Sequence, residues 1–149
     1  MRGEPPREFA RGTRQALDAR WLAYLAESAI HPAEPTVPHP LFARAVYEFN
    51  GGRCLESHET WELAWRDTPY PERLFHLALA KIGAAFAHAQ RGNAHGARRL
   101  LTDGLHVLEP FRPSYHGIDV ERFEREARAW LAAYDGRDPA LEQPRLHAG

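Results

Sequence analysis

The run ESHETWELAWR, from Glu56 to Arg66, places His58, Glu59 and Glu62 at positions i, i+1 and i+4. On a helix this spacing holds the three side chains within an arc of about 100°. Carboxylates held close together repel, so one of them keeps its proton near neutrality, while a nearby lysine or imidazolium opposes that shift. Groups whose protonation is pushed apart in this way are the raw material of acid/base chemistry. Of the 19 Lys and Arg residues only Lys81 is lysine, and it falls in a segment with almost no other charge in its middle. Glu59 and Lys81 are therefore the candidate catalytic residues. Glu56, His58, Glu62, Trp65, His88 and Asn93 are the candidate pocket around them.

The same residues allow a metal. His58 and Glu62 lie one helical turn apart, and His88 could supply a third ligand. Nitrogen and oxygen donors of this kind suit zinc, iron or manganese, so a divalent metal is the candidate cofactor. HETWE departs from the H-E-x-x-H zinc-protease motif, because Glu62 stands where the second histidine belongs. A structural reading competes with both chemical ones. One histidine–carboxylate or lysine–carboxylate network between two helices can fix their register without doing chemistry. Whether the chain is an enzyme stays open. The choice is between acid/base or metal-assisted small-molecule chemistry and a non-catalytic protein-interaction module.

The elements that must position these residues read as helices separated by strong breakers. A first helix runs from about Glu8 to Ala29, with Leu17, Trp21, Leu22 and Leu25 on one face. HPAEPTVPHP, His31 to Pro40, carries four prolines and reads as an extended linker. Further helices are predicted from Pro40 to Phe49, Arg53 to Arg66 and Pro71 to Arg91. Asn93 suits the cap of a fifth helix reaching about Glu109, and Asp119 the cap of a sixth over Val120 to Tyr134. Pro110 to Gly117 is a loop, and no strand with period-2 alternation stands out. The fourth helix should be central, because Ala80, Gly83, Ala84 and Ala87 leave it a face other helices can approach closely. The short loop between the third and fourth helices makes them antiparallel neighbours, which would bring His58, Glu59 and Glu62 toward Lys81 and His88.

The expected fold is an all-α, single-domain bundle of five or six helices. It divides into an N-terminal helix (1–30), the proline-rich linker (31–40), a motif-bearing core (41–134) and a loose tail (135–149). With 149 residues the chain can bury a real core. One cysteine, Cys54, excludes an internal disulfide and a thiolate-rich zinc site; a buried small thiol is the expectation for it. A net charge of -1 gives no global field for nucleic acid. No apolar run is long enough to cross a membrane, and MRGEPPREFARG lacks the apolar centre of a secretion signal. The expectation is a cytoplasmic bacterial protein, with arginine and alanine bias pointing to a GC-rich genome. Its partner would be a small molecule or a protein, and its oligomeric state is open. Arg98 and Arg99 read as solvated surface, and His95, His106 and His116 follow no ligand spacing.

FNGGRCLESHETWELAWR, followed downstream by AHAQRGNAHGARRLL, resembles a prokaryotic family catalogued as domain of unknown function 309. Its pattern F-N-x-G, E-x-H-E-x-x-E-x-x-W falls on Phe49, Asn50, Gly52, Glu56, His58, Glu59, Glu62 and Trp65. Its second block falls on His88, Arg91, Gly92, Asn93, Gly96 and Ala97. Cys54 and Leu55 stand where that family usually has aromatic residues, and Lys81 where it has glutamine or a similar polar residue. The resemblance implies an all-helical bundle and no established activity. The helix–Gly–helix junctions at Gly52 and Gly92 also resemble helical-hairpin repeats, which keeps an interaction module in view.

Overall fold

In a computed structural model, residues 3–6, 14–34, 37–136 and 141–149 are described. Six helices lie among them: α1 (Arg14–Ser28), α2 (Phe42–Asn50), α3 (Cys54–Asp67), α4 (Glu72–Gln90), α5 (Ala94–Leu108) and α6 (Val120–Ala133). The all-α expectation holds; α2 to α6, and the end of α1, sit within a residue or two of their predicted bounds. For α1 the predicted stretch from Glu8 to Thr13 lies outside the described residues. A 3-10 turn (Glu109–Phe111) and two two-residue strands, β1 (Ser114–Tyr115) and β2 (Ile118–Asp119), occupy the predicted loop and its margins. Strands that short give no alternation to read in a sequence.

α4 is central, as its composition demands. Leu74, Phe75, Ala78, Leu79, Ile82, Ala85 and Phe86 are buried along it, and α3 and α5 flank it. Each large apolar side chain removed from water contributes roughly 1.5–3 kcal/mol. The aromatic centre is continuous: Phe49 packs on Trp61 and on Phe86, both at 5.8 Å, and Phe86 packs on Trp130 at 4.9 Å. Glycine sets the helix spacing. A Cβ on Gly83 would stand 3.1 Å from Ser57 Oγ and 3.2 Å from the Cys54 carbonyl and the His58 nitrogen. The backbones of α3 and α4 thus approach so closely that an added methyl group would crowd α3. Both predicted caps form: Asn93 accepts from the Gly96 N–H at 3.0 Å and Asp119 from the Arg122 N–H at 2.9 Å.

The tail corrects the sequence reading. Expected to be loose, residues 141–149 are fastened to the bundle. Asn50 donates to the Leu146 carbonyl at 2.9 Å and accepts from the Leu146 N–H at 2.8 Å. Gln143 donates to the Phe49 carbonyl at 3.1 Å, and Leu146 is buried. The tail then runs beside β2, where the Asp119 N–H donates to the His147 carbonyl at 2.8 Å. No local pattern in the tail announces this, because Phe49 and Asn50, which hold it, lie about a hundred residues away in the chain.

Candidate functional site

The close approach at Gly83 decides what His58 does. Its Nδ1 lies 2.7 Å from the main-chain carbonyl of Ala80 on α4. A carbonyl only accepts, so Nδ1 carries the proton. Nε2 is left 3.7 Å from Glu62 Oε1, one turn further along α3. His58 is half-buried, whereas Glu56, Glu59 and Glu62 are exposed. Among the described residues the Glu56 and Glu59 carboxylates make no hydrogen bond and no ion pair.

His88 has a different task. Asn93 turns its oxygen to Gly96, so its NH2 group donates to His88 Nδ1 at 3.0 Å. A Cβ on Gly96 would meet the His88 ring at 3.1 Å. His88 and Asn93 therefore build the α4–α5 junction. Ala80, where His58 engages α4, is eight residues earlier, roughly 12 Å along the axis. Among the described residues no group of three or more His, Cys, Asp or Glu side chains is arranged to hold a metal ion. The expected ligand set of His58, Glu62 and His88 does not assemble, because the cap contact holds His88 two turns from the point where His58 meets α4.

Lys81 also finds other company than expected. Its charge acts on Asp18 of α1, a buried carboxylate that accepts from the Tyr70 hydroxyl. Burial pushes the Asp18 carboxyl above its usual value; the Tyr70 hydroxyl, Arg73 and Lys81 oppose that shift without cancelling it. Lys81 itself is half-buried and, among the described residues, makes no hydrogen bond or ion pair within 4 Å. Glu59 and Lys81, the candidate catalytic pair, are not in contact. Trp65 is half-buried under the Arg73 guanidinium, which lies 4.6 Å over its ring.

The densest set of titratable groups escaped the sequence reading. At the start of α4, Glu72 Oε1 lies 2.8 Å from His116 Nε2 and 3.5 Å from His76 Nε2. His39 sits beside them, its ring 6.0 Å from that of His76, and pairs with Asp67 at 2.7 Å. The His116 backbone N–H donates to Glu34. Burial alone would raise Glu72, but the two histidines outweigh it and hold its carboxyl below the usual range. His76 is 0 % exposed, and burial, against the pull of Glu72, keeps its ring below the ordinary imidazole value. The i, i+4 spacing of Glu72 and His76 was legible; nothing local links them to His39 or His116. The cluster fastens the linker and the β1–β2 turn to α4.

Cys54 fulfils its expectation. Its buried thiol donates to Gln143 Oε1 at 3.1 Å, and burial pushes it up to about 11 despite that bond. It is an inert packing group. Arg98 and Arg99 are exposed, as read; Arg98 in addition donates to the Tyr134 carbonyl at 2.7 Å and lies over that ring, because α6 ends against α5.

Residues 42–100 match the family model described as Domain of unknown function (DUF309), which bears out the resemblance read from the two motif blocks. The family carries no assigned activity. No curated protein and no solved structure matches the chain. No helix among the described residues is long and apolar enough to cross a membrane.

Proposed function

We propose, on the premise of that family match, that the motif block is a non-catalytic helical binding module. His58, His88 and Asn93 serve as struts, and the outward side of α3 is left for a protein partner. The observation that carries the reading is the 2.7 Å bond from His58 to the Ala80 carbonyl. A proton committed to main chain in the middle of a neighbouring helix holds two helices in register and is poorly placed for transfer.

The outward side of α3 supports the second half. Leu55 and Leu63 are 39% and 52% exposed, and Glu56 and Glu59 stand beside them without ion pairs among the described residues. On α6 the pattern is opposite: Glu124 and Glu126 pair with Arg112, Arg122 and Arg128. Unneutralised charge around exposed leucine suits a basic amphipathic partner, since complementary charge speeds and orients docking.

Two measurements test this reading. His58→Ala lowers the unfolding free energy by about 1–3 kcal/mol, the cost of an unmade buried bond, and Glu59→Gln changes it by less than about 0.5 kcal/mol. A neutral His58→Ala removes the strut. A model helix of alternating lysine and leucine binds the wild type at low salt but not the Glu59→Lys/Leu63→Lys variant; no binding to the wild type removes the docking face.

One observation favours a second reading, an anion-binding pocket. A half-buried lysine without an ion pair is costly, and an acidic small molecule would supply its partner, with Glu59 and Glu62 as acid/base groups. Phosphate or a dicarboxylate would then raise the melting temperature of the wild type and leave Lys81→Gln unchanged. Equal responses dismiss this reading.

A further inference from the structure

We propose that the outward face of α1 is a self-association surface, on which a second copy of this chain packs its own α1 antiparallel. This goes beyond the binding-module reading and uses a different face of the molecule. α1 buries Leu17, Trp21 and Leu25 against the bundle. A helix lying on a protein surface ordinarily turns a charged or polar face to water. Opposite the buried face of α1 stand instead Ala19, Ala23 and Ala26, all exposed, and Ile30 just past its end is 43% exposed. At 100° per residue the three alanines share an arc of about 60°. The helix is apolar on both sides, which is the pattern of a helix covered on both sides.

A concavity runs beside this face. Between α1 and the 3-10 turn lies a groove of about 630 Å³, walled by Leu22, Ile30 and Pro110 as well as the alanines. At its polar end stand His31, His106, Glu109 and Arg112. Arg112 is already shared between Glu109 at 3.5 Å and Glu124 at 3.4 Å. That mixture selects no one sign of charge in a small ligand. The alanine face admits a helix at the short end of the usual 8–10 Å spacing.

Charge identifies the occupant. Arg20 and Glu27 are both exposed, seven residues apart on one flank of the alanine face. Neither makes a hydrogen bond or ion pair among the described residues. A two-fold axis between positions 23 and 24 carries residue 20 of one copy onto the level of residue 27 of the other. Antiparallel packing thus sets Arg20 against Glu27 twice, with Ala23 near the axis. In parallel packing the flank that carries both charges would face the other flank of the partner, and Arg20 and Glu27 would not meet. The face complements itself in the antiparallel sense alone, which is what a closed two-fold dimer requires.

Sedimentation velocity on the full chain over a concentration series tests this. The wild type shows a monomer–dimer equilibrium that weakens with salt. Ala23→Glu is monomeric, with unchanged helicity and melting temperature, because the position is exposed. Arg20→Glu weakens dimerisation roughly tenfold or more by facing glutamate with glutamate. Adding Glu27→Arg to that variant restores it, a rescue no folding defect can imitate. A wild type that stays monomeric throughout, a dimer indifferent to Ala23→Glu, or a reversal that the second charge does not rescue overturns the proposal.

Discussion

Asn50 shows how much one polar side chain of the motif block carries. It uses both its donor and its acceptor on Leu146, which holds the tail, and with it Gln143, over Cys54. Asn50→Ala leaves two main-chain groups of the tail without partners, at a cost of about 1–3 kcal/mol. The same substitution opens the cover over Cys54. In the native wild type the thiol should resist an aromatic disulfide reagent, since it is buried and its ionisation is pushed up to about 11. Asn50→Ala should label measurably faster at the same pH. Equal labelling rates would mean that the tail does not shield Cys54. His58 teaches the same lesson from the other side: its type and spacing suggested a proton carrier, while its Nδ1 proton is engaged by the Ala80 carbonyl.

At the scale of elements, the α3–α4 pair is set by Gly83. Gly83→Ala gains up to about 1 kcal/mol in helix propensity. It also drives a methyl group to 3.1–3.2 Å from one side-chain and two main-chain atoms of α3, an overpacking that typically costs 1–3 kcal/mol. The expected net result is a lower denaturation midpoint, together with changed exchange or chemical shift at His58 as the helices part. A stabilised Gly83→Ala would show that the gap is slack. Helix existence, order and caps were legible, since breakers and 3.6-residue periodicity are local. The failures were non-local: the tail and the two-residue strands; the bond from the exposed Arg98 to the end of α6 was equally invisible. Facing arcs were predicted for α3 and α4, and they do meet, but a sliding offset of two turns cannot be read from either sequence alone. That offset separates His58 from His88.

For the whole molecule, pH is the revealing variable. His76 titrates below its ordinary 6.5 when folded, so the unfolded chain takes up its proton first as pH falls. Stability is therefore lost on acidification through about that value and below. Glu72, held below 4.5, contributes stability that is present above that value and is lost as pH falls through its folded value. Asp18 acts in the opposite sense, because its raised value makes the folded state the better proton binder and relieves a cost at low pH. Urea midpoints should fall between neutral pH and the range below 6.5. His76→Leu should flatten that limb, and substitution of the exposed His95 should leave it. An unchanged slope in His76→Leu would assign the acid lability elsewhere. By itself the sequence determined the helical class, the six segments, the central α4 and the family block, because helix periodicity, capping and breaking act within a few residues. Tertiary structure alone decided which histidines meet which carboxylates, since those partners are brought together by chain reversals and helix offsets that no local spacing encodes.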